Sequence, residues 1–437
     1  MKRKVMFLLL VLLIILGISF ISAQSTPSDE QKKVDKAYSC LSGLVNNRTC
    51  SQLSTEEKIF SLLSINKCER ELMNDSAENG KCWADVPGRE CNLKTTAQAV
   101  LALSSAGKNT DSSQNWLLSQ NKTPTELTWY LQVESPEPAS CTISYNIGSQ
   151  KSSFGINLGA DRKIDSNAGP CLSRAQDNYW LEISSTQNCQ AQEYTISCNK
   201  YFLTNLLFKK TDSQTVHVSH KSSSASAQGE TTEKINSLCF SKSGVCNYEG
   251  SLWSALALKS RGKDVTAFLP YLIVLAPDYQ RFLPESFLYY ITAGTDFKVS
   301  ILSKQIDNKW WSASGNKFYD TALALYPFQK EELAEKSNAK AWLLDDRVQE
   351  ESGCWDSNNI AHTGFILASI WPKLFAGDGG GDGGGISQGC SGAGYYCVNT
   401  GSCQGQILDY SCEGAILECC SIEPRIANTC ADLGGAI

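Results

Sequence analysis

Histidines are few in this sequence, and pairs of cysteines with the spacing of zinc sites are absent. Only three histidines occur among the 437 residues, so few places are available for histidine-based metal or acid–base chemistry. Nineteen cysteines are present, yet none has the CxxC spacing of structural zinc sites. The basic residues form no stripe and the net charge is −6, which argues against a nucleic-acid partner.

Long hydrophobic runs are also absent, with one exception at the start of the chain. The apolar run Val5–Ile21 follows the basic residues Lys2–Lys4 and precedes Ser22 and Ala23. This layout predicts a secretory signal peptide at residues 1–23. An uncleaved anchor helix is the alternative, because the run is near the lower limit for spanning a bilayer. We expect no membrane span after signal cleavage, and a secreted or cell-surface protein.

Motifs for phosphate and dinucleotide binding are missing. The glycine-rich run Ala376–Gly385 has neither the lysine of a phosphate loop nor a helix after it, and both are needed for those chemistries. The run is instead predicted to be a flexible Gly/Asp linker at residues 376–387. We therefore expect no cofactor.

The cysteines that are present are typical of an oxidising compartment. Three pairs that are close in sequence predict short disulfide loops. These pairs are Cys82 with Cys91, Cys189 with Cys198, and Cys239 with Cys246. Three N-x-S/T sequons, a pattern that chance also produces, predict glycosylation of exposed surface. They lie at Asn47, Asn74 and Asn121.

The segment 388–437 differs in composition and contains seven cysteines. That density predicts a small, knottin-like module held by three disulfides. Because Cys430 is then left over, we expect the natural chain to continue beyond Ile437 into a second, truncated module. An intermolecular disulfide or a bond to an earlier cysteine is the alternative. The six cysteines of the predicted module are Cys390, Cys397, Cys403, Cys412, Cys419 and Cys420.

An internal repeat marks the helical part of the chain. Leu101–Lys108 recurs as Leu256–Lys263, and each copy ends an apolar helix at a glycine suited to a left-handed C-cap. Bulkier helices that open at Trp116 and Trp342 alternate with the small-residue type. Close packing of small residues favours an inner layer wrapped by the bulkier helices, as an open solenoid or a closed ring. Inner-type starts lie near Thr95, Ser251, Thr321 and Thr363, and Ser54 with Glu57 predicts a capping box.

The clearest copy of the repeat, Cys354–Ala368, resembles the prenyltransferase and squalene-oxidase repeat of α/α toroids. That superfamily includes terpenoid cyclases, protein prenyltransferase β-subunits and the thioester domain of α2-macroglobulin-like proteins. The resemblance covers roughly residues 38–128 and 230–375. It implies a mainly α fold, an α/α toroid, with any chemistry at inner-helix ends that face a central cavity.

Between the helical blocks, apolar and polar residues alternate, as in Cys141–Tyr145 and Glu193–Ser197. This period of two predicts half-buried strands. We expect a small β-sandwich inserted into the toroid, followed by a polar loop at Ser222–Gln228. The predicted order is signal peptide, first toroid part, β-sandwich, second toroid part, linker and cysteine-rich module, at residues 1–23, 24–128, 129–220, 221–375, 376–387 and 388–437.

The resembled families imply catalytic motifs that are mostly missing here. Terpenoid cyclases of the protonating class have a DxDD motif, whereas the nearest acidic pair, Asp345-Asp346, follows an outer helix and is interpreted as a solvated face. Thioester domains need a CGEQ sequence, whereas Gly353–Asp356 contains no Glu-Gln pair. Neither chemistry is predicted.

A zinc site is implied by the resemblance to protein prenyltransferases, which use Asp, Cys and His at inner-helix starts. Asp320, Cys354 and His362 occupy such positions, and their side chains are plausible zinc ligands. The Asp-x-Cys spacing of that family is missing, however. The alternative, which we favour, is a disulfide at Cys354, an N-capping Asp320 and a packed His362, with no metal bound.

A polysaccharide lyase is a third reading of the same positions, since other secreted α/α toroids cleave glycans. A lyase uses His and Tyr as base and acid around a uronate. His362 and Tyr319 lie at adjacent inner-helix starts, and Asp320 follows Tyr319. A helix N-terminus lowers the pKa of an imidazole and favours its neutral, basic form.

The absence of every diagnostic motif favours a binding or scaffold protein over an enzyme. We expect a secreted or cell-surface glycoprotein whose ligand is an extracellular glycan or protein. The alternative is a cavity enzyme, lyase-like or prenyltransferase-like, that uses His362. Most of the repeat tryptophans are expected in the core rather than stacked on sugars, namely Trp83, Trp129, Trp180, Trp310, Trp311 and Trp355.

Overall fold

A computed structural model describes residues 28–78, 80–373, 396–399, 403, 407–408 and 417–421. The predicted signal peptide at residues 1–23 and the predicted linker at 376–387 lie outside the described residues. So does most of the cysteine-rich segment, including Cys390, Cys412 and Cys430, and the predicted truncation of a second module stays a prediction.

Helices of two kinds alternate along the first and last thirds of the described chain, one kind almost fully buried and the other partly exposed. Short 3₁₀ turns at Cys50–Gln52, Thr266–Phe268, Ala276–Phe282 and Tyr326–Phe328 connect some of them. The helices are α1 Asp29–Arg48, α2 Thr55–Ile65, α3 Glu69–Asn74, α4 Leu93–Ser105, α5 Asp111–Ser119, α6 Gln187–Gln190, α7 Tyr248–Ser260, α8 Leu269–Leu275, α9 Pro284–Thr292, α10 Thr295–Ser303, α11 Lys317–Leu325, α12 Ala334–Leu343 and α13 Ile360–Ile370.

Six of the described helices pack in a closed cycle, here called the helical ring. Helix α13 packs on α2, α2 on α4, α4 on α7, α7 on α9, α9 on α11, and α11 returns to α13. Small residues allow these close contacts. A Cβ atom at Gly364 of α13 would lie 2.8 Å from the carbonyl oxygen of Phe60 in α2, so a larger residue would push the two helices apart.

A repeated contact, here called the aromatic lock, fastens four ring helices to the loops before them. In α11, the backbone N–H of Trp311 donates to Thr321 Oγ1 over 3.0 Å, and the indole N–H of Trp311 donates to the Ile301 carbonyl of α10 over 2.7 Å. In the three locks that contain tryptophan, one buried side chain therefore joins an outer helix, a loop and an inner helix. The four locks are Trp83–Thr96, Phe240–Ser251, Trp311–Thr321 and Trp355–Thr363.

The strands form antiparallel sheets of three to five members. Two of these sheets, β5-β6-β2-β8-β9 and β10-β7-β3-β4, make up the β region of residues 127–234, and the smaller ones are β1-β11-β12 and β13-β15-β14. The strands are β1 Asn121–Lys122, β2 Leu127–Glu134, β3 Ala139–Ile147, β4 Gln150–Leu158, β5 Leu172–Ala175, β6 Trp180–Ile183, β7 Glu193–Cys198, β8 Phe202–Lys210, β9 His217–Ala225, β10 Glu230–Lys234, β11 Cys239–Lys242, β12 Val245–Cys246, β13 Tyr396–Asn399, β14 Ile407–Leu408 and β15 Leu417–Cys420.

Burial in the β region follows the alternation of the sequence. Ala139, Cys141 and Ile143 of β3 are buried, whereas Ser140 and Thr142 between them are exposed. Successive side chains of a strand point to opposite faces, so one face of each sheet contributes to the core. The buried residues of the β region join those of the ring in one continuous hydrophobic cluster.

The expectation of a mainly α fold is wrong, because the fold is a mixed one with 42% helix and 22% strand. The strands also extend beyond the predicted limit at residue 220, since β9 and β10 continue the β region to Lys234. The segment Ser222–Gln228, expected to be a loop, begins inside strand β9. Its serines gave no strand signal because β9 is an edge strand, where polar side chains are favoured.

Disulfides connect parts of the chain that are far apart in sequence. Cys40 of α1 is bonded to Cys354, 314 residues later, in the loop before α13. Because α1 is the first described helix and α13 the last, this bond ties the two ends of the helical part together. Other bridges among the described residues are Cys50–Cys68, Cys82–Cys91, Cys239–Cys246 and Cys403–Cys420.

The predicted bond between Cys189 and Cys198 is wrong. Cys198 ends β7 and lies opposite Cys141 of β3, to which it is bonded, while Cys189 in α6 is bonded to Cys171. Proximity in sequence failed as a guide because strand pairing places Cys141, and not Cys189, opposite Cys198. Seven disulfides among the described residues are compatible with an extracellular protein. None of the described helices combines the length and apolar character that crossing a membrane requires.

Candidate functional site

Five ring helices begin at the same end of the ring, here called the ring mouth. Residues from their first turns, Glu56, Lys94, Glu249, Tyr319 and His362, line one cavity of about 220 Å³. A side-chain cap fixes each helix start by accepting a backbone N–H that would otherwise lack a partner. The capping residues are Ser54, Asn92, Asn247, Asn316 and Asn359, and Ser54 forms the predicted capping box with Glu57.

A lysine between two glutamates forms the charged part of the ring mouth. Lys94 Nζ is 2.8 Å from Glu249 Oε1 and 5.5 Å from the centre of the Tyr319 ring. Burial opposes the ammonium charge, but Tyr319, Glu249 and Glu56 together raise the pKa of Lys94 above its ordinary value. The lysine is therefore a fixed cation at neutral pH, with carboxylates on α2 and α7 near it.

His362 is oriented by a carboxylate that sequence analysis did not single out. Its Nδ1 is 2.5 Å from Asp356 Oδ2, and the Asn316 amide lies 3.4 Å from the same ring nitrogen. A carboxylate at Nδ1 favours the tautomer that is protonated there, so Nε2 is left as the basic atom. Asp356 follows the lock residue Trp355 directly, and that adjacency is the sequence signal that could have identified it.

Tyr319 lies next to His362 with its hydroxyl unpaired. The two ring centroids are 6.1 Å apart in an edge-on arrangement, and the Tyr319 hydroxyl has no hydrogen-bond partner among the described residues. Burial raises the pKa of that hydroxyl, so it remains a proton donor at neutral pH. Arg281, from the 3₁₀ turn before α9, lines the same cavity and was not predicted, because it lies outside the repeat.

Asp320 is not the helix cap that the sequence suggested. Asn316 caps α11, and Asp320 lies one turn inside the helix with 1% exposure. Its Oδ2 accepts the backbone N–H groups of Ala313 and Ser314, each over 2.7 Å. Burial raises the pKa of the carboxyl. Asp320 thus holds the loop before α11, although its side chain also borders the cavity.

The structure does not assemble the candidate zinc ligands Asp320, Cys354 and His362 into a metal site. Cys354 is bonded to Cys40, so it has no thiolate to offer, and Asp320 is used by its own loop. No group of three or more metal-ligating side chains occurs in the part of the chain that the structure describes.

A second cavity of about 370 Å³ adjoins the first and shares Glu56, Lys94 and Glu249 with it. Gln98 of α4 lines this cavity, is 3% exposed, and its Nε2 has no hydrogen-bond partner among the described residues. Asp85 closes one side by accepting hydrogen bonds from Thr95 and Asn92. The ring mouth as a whole therefore offers both donors and acceptors.

Aromatic side chains fill the ring below the mouth. Phe60 and Phe365 stack with centroids 4.5 Å apart, Trp253 packs edge-on against Phe287 at 5.0 Å, and Tyr319 contacts Phe365 at 5.3 Å. These contacts leave a shallow cavity at the mouth rather than a channel through the ring. The predicted catalytic residues His362, Asp320 and Tyr319 are thus brought together at the edge of a filled core.

The remaining predicted positions lie on the surface or in the core. The sequon residues Asn47, Asn74 and Asn121 are exposed. Trp83, Trp311 and Trp355 are buried in the aromatic locks and Trp129 is buried in β2, whereas Trp180 and Trp310 are partly exposed. The acidic pair Asp345-Asp346 forms surface ion pairs with Arg347 and Lys33.

The asparagine caps were not predicted, although the sequence contains a signal for them. Asn92, Asn247 and Asn359 each precede the hydroxyl residue of a lock by four positions. Gln98 and Arg281 had no such signal, since only the closed ring brings them to the mouth. Comparisons of the chain with protein-family models, with curated proteins and with solved structures found no match.

Proposed function

We propose that the ring mouth is the binding site of an extracellular ligand, and that this ligand is a glycan. The observation that carries the proposal is the pair of buried, unpaired polar atoms at the mouth, Gln98 Nε2 and the Tyr319 hydroxyl. An unpaired buried polar group destabilises a protein by about 1–3 kcal/mol. A ligand oxygen that accepts from these groups would remove that penalty.

Sugar hydroxyls suit the chemistry of the ring mouth. A hydroxyl both donates and accepts hydrogen bonds, and the mouth presents the carboxylates of Glu56 and Glu249 beside the donors Lys94 and Gln98. The two cavities, about 220 and 370 Å³, are at or below the lower part of the 300–1,000 Å³ range of drug-sized ligand sites. The mouth therefore fits one or two terminal sugar units rather than a long chain.

A matched pair of buried glutamines tests the proposal. The wild-type chain should bind a limited set of extracellular glycans on an array, and Gln98→Leu should weaken that binding at least about tenfold, or ~1.4 kcal/mol. The same change should leave the free energy of unfolding equal or higher, since it removes an unpaired group. Titration calorimetry and chemical denaturation measure the two effects.

Gln114→Leu is the control. Gln114 is also 3% exposed, but its Nε2 donates to Thr110 Oγ1 over 2.9 Å, so this variant should lose stability and keep glycan binding. An array with no bound glycan, or equal affinity of the wild type and Gln98→Leu, would contradict the proposal.

A second candidate function is a lyase-like reaction at the same mouth, favoured by the Asp356–His362 pair next to the protonated Tyr319. Such a reaction removes a proton from the carbon next to a uronate carboxyl and breaks the bond to the glycosidic oxygen, which receives a proton. His362 Nε2 would be the base and Tyr319 the acid.

Incubation with uronate polymers distinguishes this second candidate from simple binding. Unsaturated sugar ends should form with the wild type and disappear with His362→Ala, while Gln114→Leu should retain full activity. If no tested polymer is cleaved, the lyase hypothesis is rejected and the binding proposal is unaffected. The relation of the repeats to the prenyltransferase and squalene-oxidase repeat stays a prediction.

A further inference from the structure

One aromatic lock differs from the others in the residue that precedes it. In three locks this residue is a cysteine in a disulfide, whereas in the fourth it is Trp310, which precedes Trp311. The three disulfide-bonded pairs are Cys82-Trp83, Cys239-Phe240 and Cys354-Trp355. Trp310 thus occupies the position at which the other three locks have a disulfide-bonded cysteine.

The lock itself does not need the side chain of Trp310. Trp311 makes the hydrogen bonds to Thr321 and to the Ile301 carbonyl, and it is 1% exposed. Trp310 is partly exposed, and its backbone, not its indole, closes the turn with Ile306 through an N–H···O contact of 2.7 Å. The lock therefore makes no use of the indole, whose buried part packs against the core and whose exposed part can contact a ligand.

Trp310 lies in a surface groove of about 490 Å³ on the outer side of α12. Its ring centroid is 5.1 Å from that of Trp342, and the side-chain amides of Asn308 and Asn338 line the same groove. An aromatic face flanked by amides combines stacking area with hydrogen-bonding groups.

Basic side chains border the groove. Lys309, which lines it, and Lys317, which lies outside its lining, have Nζ atoms 5.7 and 5.3 Å from the centre of the Trp310 ring, and neither lysine forms an ion pair among the described residues. The acidic group that lines the groove, Asp345, is already bound by Arg347 through two contacts of 3.0 and 2.9 Å. Two ammonium groups beside one indole therefore lack a carboxylate.

We propose that this groove binds a segment of an acidic polysaccharide. A uronate unit places its ring against the indole of Trp310 and its carboxylate near Lys309 and Lys317, while Asn308 and Asn338 bond its hydroxyls. The inference does not depend on the ring mouth, because the two sites share no lining residue.

Titration calorimetry with a hexameric oligogalacturonate, and with maltohexaose as a neutral hexaose, tests the assignment. The acidic hexamer should bind and the neutral one should not, and added salt should weaken binding, because exposed charges are screened. Trp310→Ala should weaken binding at least about tenfold and Trp310→Phe by less than about threefold. The double variant Lys309→Gln, Lys317→Gln should abolish the salt dependence.

Two controls keep the result specific to the groove. Tyr201→Ala removes an aromatic residue with 49% exposure in the β region and should bind the oligogalacturonate as the wild type does, while Gln98→Leu reports any part of the binding that takes place at the ring mouth. Loss of binding in Gln98→Leu but not in Trp310→Ala would assign the hexamer to the mouth and overturn the proposal. Equal binding of maltohexaose, no binding of the hexamer, or tighter binding of a single-stranded oligonucleotide would overturn it as well.

Discussion

The helical ring and the β region are stabilised by contacts of different range. Each aromatic lock joins residues at most 13 positions apart, as Trp83 N–H does with Thr96 Oγ1 over 2.9 Å. In the β region, by contrast, residues of β2 pair with residues of β8 that lie 69 to 83 positions later, and β10 joins its sheet through β7. The ring is thus a series of local units that need closure, while the β region combines local hairpins such as β3–β4 with the distant pairing of β2 and β8.

Buried hydroxyl groups also differ between the two regions. In the ring they bind the backbone just before a helix start, whereas in the β region tyrosine hydroxyls donate to backbone carbonyls of a loop and of helix α6. The Tyr145 hydroxyl donates to the Ala168 carbonyl over 2.8 Å, and the Tyr194 hydroxyl donates to the Cys189 carbonyl over 2.7 Å. Disulfides supplement both regions, but only Cys40–Cys354 spans nearly the whole described chain.

The largest expected effect comes from opening the ring. The double variant Cys40→Ser, Cys354→Ser should lower the free energy of unfolding by about 5 kcal/mol, because this bond closes a loop of 314 residues and a longer loop constrains the unfolded chain more. The matched change at Cys171–Cys189, with a separation of 18, should lower it by about 3 kcal/mol. Denaturant titrations without reductant measure both.

That ordering depends on the unfolded chain, because the two bonds differ in the length of the loop that each one closes. A smaller loss for the Cys40–Cys354 variant than for the Cys171–Cys189 variant would show that the ring remains closed by packing alone. The ring would then not depend on its covalent closure, and the proposed difference between the ring and the β region would not hold.

The second prediction compares the contributions of two neighbouring tryptophans to the free energy of unfolding. Trp311→Ala should lower the free energy of unfolding by about 3–5 kcal/mol, because it leaves a core cavity and removes the indole bond to Ile301. Trp310→Ala should lower it by less than about 1 kcal/mol, as expected for a partly exposed side chain outside the lock. Chemical denaturation of the two variants is the measurement, and similar losses would show that Trp310 is structural.

Features with local determinants could be predicted from the sequence. The capping box of Ser54 and Glu57 is confirmed, and the repeat glycines Gly107 and Gly262 have positive φ, as a left-handed C-cap requires. The mainly α fold was wrong because the resemblance covered helices only, and the serine-rich edge strand β9 carries no alternation to predict.

The candidate site was only half visible in the sequence. His362 and Tyr319 were found because repeat alignment places them at equivalent helix starts. Asp356, Gln98 and Arg281 were not found, because their roles depend on the closed ring and on a loop conformation. A periodic pattern gives the direction of a side chain along its own helix, but not the partner that a neighbouring helix brings to it.

The third effect concerns the hydroxyls of the locks. Thr321→Val should lower the free energy of unfolding by about 1–2 kcal/mol, because it keeps the volume but leaves the Trp311 N–H unpaired in the core. Thr363→Val should have a similar effect, since Trp355 N–H donates to Thr363 Oγ1 over 3.1 Å. The control Thr142→Val, at an exposed position of β3, should change stability by less than about 0.5 kcal/mol. Unequal effects would show that the threonine hydroxyls of the two locks contribute different amounts to the free energy of unfolding.

The smallest effect is a pH dependence of opposite sign in the two regions. In the ring, burial raises the pKa of Asp320 from its ordinary 3.8, so the folded chain binds this proton more tightly than the unfolded chain. In the β region, burial lowers the pKa of His217 from its ordinary 6.5, so the unfolded chain binds that proton more tightly. As the pH falls, the state that binds more protons becomes more stable relative to the other.

The stability of the wild type relative to Asp320→Asn should therefore rise as the pH falls through the raised pKa of Asp320 towards 3.8. Relative to His217→Gln, it should fall as the pH drops below 6.5, because the unfolded chain then takes up a proton that buried His217 resists. Urea titrations at closely spaced pH values give both differences. Slopes of the same sign would mean that one of the two groups is solvated in the folded protein. A flat difference for His217→Gln together with a sloped one for Asp320→Asn would place the error in the β region. There His217 stacks on Phe208 at 5.6 Å and is the first residue of the edge strand β9, and an edge strand can open locally.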